Sequence, residues 1–140
     1  MSVRITIVDG PVGAALSDSP ELAPPAQPES ALVDTGEAGA VVTFDGVVRA
    51  LEGDRKIQAL DYEVYEPMAS RELGRLAADL LGSCGVLAID AWHSRGRVQV
   101  GAVSFRLVVR SAHRKEALQA MDRFIDCMKR DVPIWKRAVW

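Results

Sequence analysis

From Ala112 to about Lys129 the chain places apolar residues at Ala117, Met121, Phe124, Ile125 and Met128, the three-to-four spacing of one buried helix face. Asp131-Val-Pro133 ends that helix, and Ile134-Trp-Lys-Arg137 turns back from it. An amphipathic helix of this length has to cover its stripe with another layer, and the preceding segments supply a sheet. Arg4–Asp9 alternates as a first strand. Gly39–Arg49 is apolar on both faces and reads as a buried strand, with Gly46 marking a bulge or a close backbone approach. Leu51–Lys56, with Gly53-Asp54, reads as a hairpin-like connection, and Ile57–Tyr65 alternates as a strand.

A second helix is expected from Met68 to about Leu81, with Leu73, Leu76, Ala77, Leu80 and Leu81 on one face. Pro67 opens it at a tolerated first position, and Gly82-Ser-Cys-Gly85 stops it. Val86–Trp92 is a third strand, Arg95-Gly96 a turn, and Ala102–Val109 a fourth strand. Residues 10–38, rich in Gly, Pro, Ser, Ala and Glu, form a loop-rich insertion. The order is that of an α+β two-layer sandwich with a mostly antiparallel sheet. At 140 residues and 49% hydrophobic content, residues 1–140 are expected to form one domain with a real core.

Charge is unevenly spread. Residues 1–45 hold one Arg against seven Asp or Glu, whereas residues 106–137 hold nine Lys or Arg against four acidic residues. The basic portion calls for an anionic ligand. Its sharpest feature is Arg110-Ser-Ala-His-Arg-Lys115, where Ser111 looks like a helix N-cap surrounded by cations. Cations at the positive end of a helix dipole are misplaced by a few tenths to about 1 kcal/mol each. An anion such as a phosphate or carboxylate, bound by free backbone N–H groups with His113 and Arg114, repairs the misfit.

Lys129 and Lys136 bracket the Pro133 turn. If the chain reverses there, the two ammonium groups approach, and like charges lower one another's pKa toward proton-transfer work near neutrality. The ordinary alternative is a pair of solvated lysines at a helix end, where cations suit the dipole. Arg49 closes an apolar strand and can reach a pocket at the sheet's end, while His93 precedes a turn and reads as structural. Taken together, Arg49, His113, Arg114, Lys129, Lys136 and Arg137 make a cationic pocket with no carboxylate base, suited to a phosphorylated or carboxylated small molecule. Two cysteines without ligand spacing give no metal site and point to a reduced, cytoplasmic setting. No leader, membrane-length apolar run, phosphate-cradling Gly loop, Ser–His–acid set or aromatic platform for bases is evident, so export, membrane and nucleic acid are not expected.

Phe44-Asp-Gly-Val-Val-Arg49, Tyr62-Glu-Val-Tyr-Glu-Pro-Met68, Ser111-Ala-His-Arg114 and Lys129-Arg-Asp-Val-Pro-Ile-Trp-Lys136 resemble, in order and spacing, the large catalytic subunit of molybdopterin synthase. The resemblance spans roughly residues 36–137. It implies an α/β hammerhead-type fold with a small added β-rich subdomain. It also implies an enzyme that converts cyclic pyranopterin monophosphate into molybdopterin. Sulfur would come from a ubiquitin-like small subunit whose C-terminal Gly-Gly tail ends as a thiocarboxylate. The implied assembly is a heterotetramer around a homodimer of large subunits, with no cofactor of its own. Lys129 and Lys136 match the family's functional lysines, and Val47, Val48, Arg49, His113, Arg114 and Arg137 match its substrate-binding stretches, some from the neighbouring protomer. The chain departs from the family pattern at Ala138, where an acidic residue is usual, and at Ser94, where an Arg is usual. It also ends at Trp140, where relatives run on, which implies either a more open pocket or a shortened chain. The competing reading is a non-catalytic anion-binding or scaffold module that docks a ubiquitin-like partner.

Overall fold

The computed structural model describes residues 2–14 and 36–140. In chain order these form β1 (Ser2–Asp9), β2 (Gly13–Ala14), β3 (Ala40–Val47), β4 (Leu51–Glu52), β5 (Arg55–Lys56), β6 (Ala59–Val64), α1 (Met68–Cys84), β7 (Ala88–Gln99), β8 (Ala102–Ser111), α2 (Arg114–Asp131) and β9 (Ile134–Val139). Of the loop expected over 10–38, residues 15–35 lie outside the described residues. The fold is α+β, and every strand pairing is antiparallel except β1 with β7.

β7 organises the sheet. Its first part pairs with β1 as far as Arg95 and with β8 as far as His93. From Gly96 to Gln99 it pairs with β6, which in turn pairs with β9. Arg95-Gly96, expected to be a turn, is therefore a bend inside one long strand. Gly96 has φ +89°, a conformation that glycine adopts without a Cβ penalty, and it sits where the strand exchanges partners. The chain reversal falls instead just before Ala102, where Gly101 has φ +88°.

Both helices pack on one face of the main sheet. Leu73, Ala77 and Leu80 of α1 and Ala117, Ala120, Phe124 and Met128 of α2 are buried with Ile89, Phe105, Leu107 and Val109. Phe124, fully buried, stacks on Phe105 of β8 with ring centroids 6.1 Å apart, a burial contributing about 2–3 kcal/mol. A second, smaller cluster of Val48, Ile57, Leu60 and Val98, with Tyr62 and Ala138 packed against it, is drawn from β6, β7 and the segments that flank the β4–β5 hairpin. It forms the core of the added β-rich region that the resemblance implied.

β3 is not the doubly buried strand its composition suggested. Among the described residues it pairs only with β8, and Val41, Phe44 and Val47 are 50%, 37% and 41% exposed. The bulge marked by Gly46 is present, because the register shifts between Gly46 and Val47 so that Ser104 has no opposite residue.

The start of α2 also differs from expectation. Ser111 is the last residue of β8, fully buried and paired with Ala40, and its hydroxyl donates to the carbonyl of His113. His113 takes the N-cap position without a capping side-chain bond. The strand ladder thus claims the residue that local capping chemistry would have used. The end of α1 follows its glycine signal: Gly85, at φ 70°, donates its N–H to the Leu81 carbonyl.

Gly39 lies against this junction, and a Cβ there would clash with the Ala112 carbonyl oxygen. Replacing Gly39 with Ala is expected to destabilise the protein by about 1–3 kcal/mol. The same change at Gly74, a helical position with open space around it, should stabilise by about 0.5–1 kcal/mol. Urea denaturation of the two variants checks both signs.

Candidate active site

An open cavity of about 710 Å³ lies where the end of α2, the exit of β3, β6 and β9 meet. Its size falls within the roughly 300–1,000 Å³ of small-molecule sites. Phe44, Leu60, Phe105, Ile125, Met128, Ile134 and Trp135 give it apolar walls, and Arg49, Lys129 and Lys136 bring cations to it. Lys129 is in the last turn of α2, where carbonyls lacking intrahelical partners favour a cation.

The reversal after Lys129 is fixed by backbone bonds. The N–H of Val132 donates to Met128 (3.1 Å), that of Ile134 to Val132 (2.8 Å), and that of Tyr65 to the Pro133 carbonyl (3.1 Å). β9 then runs along β6 with Lys136 opposite Tyr62. The expected chain reversal thus brings both lysines to one cavity. Arg49 arrives through Val48, which is 3% exposed in the second core cluster and is bonded by its backbone to Gly101 and Ala102. Val47 and Arg49, on either side of that anchor, are exposed and line the cavity.

Three of the expected residues are elsewhere. His113 and Arg114 start α2 and Lys129 ends it, so about 22 Å of helix axis separates them. The single cavity expected to contain both ends of α2 does not form within one chain, because a straight helix cannot bring its own ends together. Arg137 does not line the cavity. It pairs across the ladder with Asp61, whose carboxyl is held below its ordinary value by the hydrogen-bonding Arg97 guanidinium, with smaller help from Arg137.

The cavity also carries polar groups that were not expected as site residues. Asp45 and Glu52 line it, contrary to the expectation of a site without carboxylates. Asp45 is committed to Arg106 of β8 through two hydrogen bonds of 2.6 and 2.9 Å. Glu52 forms no ion pair among the described residues. Tyr62 donates its hydroxyl proton to Ser104 Oγ (3.0 Å), and Ser104 donates to the Gly46 carbonyl (3.4 Å). Burial pushes the Tyr62 phenol up, which keeps it protonated.

His93, 5% exposed, stands edge-on to Tyr62 with centroids 5.2 Å apart, and tilted against Phe105 at 5.7 Å. Its Nδ1 lies 2.8 Å from the Ser94 carbonyl, which can only accept, so Nδ1 carries the proton. Burial pushes the imidazole below its ordinary value of 6.5, against the smaller opposing effect of that hydrogen bond. Tyr62 stands opposite Gly96 on the β6–β7 ladder, three residues along β7 from His93.

Fold and cavity together define an α+β protein with a cation-bearing cavity of small-molecule size. A family model described as MoaE protein matches residues 23–131. The molybdopterin synthase catalytic subunit of Pyrococcus abyssi is 37% identical over 109 residues, covering 78% of this chain and 74% of that one. Molybdopterin synthase from Staphylococcus aureus superposes with a TM-score of 0.70 at 34% identity, over 74% of this chain and 76% of that one. The complex of subunits 1 and 2 of molybdopterin-converting factor from Helicobacter pylori also gives a TM-score of 0.70, at 28% identity over 97% and 88% of the respective chains. The chain belongs to the MoaE family, that of the molybdopterin synthase catalytic subunits.

Because the folded His93 binds its proton less tightly than the unfolded chain does, its contribution to stability is complete above about pH 6.5 and is lost as pH falls toward the lowered folded value. Urea midpoints measured from pH 8 down to pH 5.5 are expected to fall. The fall should be smaller in His93→Asn, which keeps a donor for the Ser94 carbonyl and has no proton to gain.

Proposed function

We propose that the chain performs the sulfur-transfer step that makes molybdopterin from cyclic pyranopterin monophosphate. The sulfur would come from the thiocarboxylate tail of a ubiquitin-like small subunit. The observation that carries this reading is the convergence of Arg49, Lys129 and Lys136 on one cavity in a member of this family. The H. pylori relative, solved as a complex of two subunits, supports a small-subunit partner.

In this reading the apolar walls exclude water, and Arg49 with the two lysines neutralises the anionic reactants and holds them in register. Lys129 and Lys136 deliver and remove protons as sulfur adds to the pterin side chain and the acyl product leaves. Val47 and Val48 shape the wall beside Arg49, and Arg137 adds positive potential from outside the cavity. His113 and Arg114, too distant in their own chain, serve the cavity of a second copy in a homodimer, where their charge meets the cyclic phosphate.

Residues 1–140 would work as one domain, with 10–38 as an appended insertion, at the core of a heterotetramer. The working compartment in this reading is the cytoplasm. No helix among the described residues is long and apolar enough to cross a membrane.

The test mixes the purified chain with a thiocarboxylated small subunit and cyclic pyranopterin monophosphate and follows formation of the dithiolene. Lys129→Ala is expected to slow product formation by about 10²–10⁴-fold, the range for loss of a proton-transfer group. Its oligomeric state should not change. An unaltered rate would remove Lys129 from the chemistry, and no product from the wild-type chain would leave the scaffold reading in its place.

A further inference from the structure

The cavity has a second wall whose character is opposite to that of the cations. His93 gives its one proton to the Ser94 carbonyl, so Nε2 keeps a free lone pair. Among the described residues Nε2 has no hydrogen-bond partner, although the residue is 5% exposed and its ring lines the cavity. The ring cannot readily swing away, because Tyr62 and Phe105 contact it and its other nitrogen is tethered.

Its neighbours have also committed their protons inward. The Tyr62 hydroxyl donates to Ser104, and Ser104 donates to the Gly46 carbonyl. Tyr62 Oη therefore offers lone pairs, and the Glu52 carboxylate on the same cavity is an acceptor as well. A ligand that covers these acceptors without offering a donor strips them of water and leaves them unpaired, which is unfavourable. Such a wall therefore favours a ligand that brings N–H donors and penalises one that brings only acceptors.

We infer that the His93 wall is a ring-reading subsite, in which Nε2 accepts a hydrogen bond from an N–H of a flat amino-heterocycle whose anionic end lies toward Arg49, Lys129 and Lys136. This rests on the proposed function for the identity of the heterocycle, which is then the pterin of the substrate. The bipolar cavity orients such a molecule without a further device: the phosphate is drawn to cations and the aminopyrimidine edge to acceptors. His93 is accordingly a binding residue for the ring and carries no proton in the reaction.

Three substitutions separate this role from packing. His93→Phe keeps an aromatic ring and removes Nε2. His93→Asn retains a donor for the Ser94 carbonyl and also lacks Nε2. His93→Gln places an amide at the position of Nε2 and can restore the acceptor. The probe is pterin-6-carboxylate, whose intrinsic fluorescence reports binding to each variant after cooperative unfolding has verified its fold.

Both Phe and Asn variants are expected to bind about tenfold more weakly, with Gln within about threefold of wild type. In the sulfur-transfer assay the same factors should appear in KM for the pterin substrate, with kcat little changed. Unchanged affinity in the Asn and Phe variants overturns the inference, as does a Gln variant impaired as severely as Phe. If wild type binds the pterin through His93 but forms no dithiolene, the sulfur-transfer reading fails while the subsite stands. If dithiolene forms and the Phe variant matches wild type in KM, the subsite alone fails.

Discussion

The stacking of Phe124 on Phe105 fixes α2 to the sheet, and an α2 held in that way determines which cations can act together. The helix is 18 residues long and buries Ala117, Ala120, Met121, Phe124 and Met128 along one face. One end presents Lys129 to the cavity, and the other presents His113 and Arg114 about 22 Å away. No side chain bridges that distance. A site that needs both ends has to draw them from two copies of the helix, so the symmetry of the assembly becomes part of the chemistry.

Much of this was visible in the residues. The 3.6-residue period of α1 and α2, the Gly85 stop and the bulge at Gly46 follow from local chemistry, and the structure has all of them. The gathering of Arg49, Lys129 and Lys136 was also legible, because the Pro133 turn and a returning strand leave the chain few other paths. The errors arose where tertiary pairing overrode a local signal. Gly96 reads as a turn, yet β1 and β6 each pair with one part of β7, and its positive φ supplies a bend. Ser111 reads as a cap, yet the β3–β8 ladder holds it in the strand. Ser104, Glu52 and His93 carry no motif, and Tyr62 opens one that does not mark it for the site, so only the folded sheet shows that these four segments share a cavity.

The cavity's polarity has an energetic logic. Isolated cations in an apolar recess are costly, and here Arg49, Lys129 and Lys136 all remain exposed to solvent, so the empty site does not bear a full desolvation penalty. The most enclosed ion pair, Arg106 with Asp45, is fully hydrogen-bonded and lies just before the bulge, where it braces β3 as the strand delivers Val47–Arg49. Deeper groups such as His93 and Tyr62 are neutral, as burial requires. The cavity's unpaired cations therefore sit where water can reach them, and the enclosed charges are paired.

The most direct measurement of the two-copy site is activity in mixed dimers. Lys129→Ala and Arg114→Ala chains are each inactive by this account, since every cavity in either homodimer lacks one cation. After unfolding and refolding the two together at equal amounts, half of the dimers are mixed. Each mixed dimer has one cavity with both Lys129 and Arg114 intact, so about one quarter of the wild-type dithiolene yield should return. A mixture as inactive as its components, or an Arg114→Ala homodimer as active as wild type, would contradict the claim that opposite ends of two α2 helices build one site.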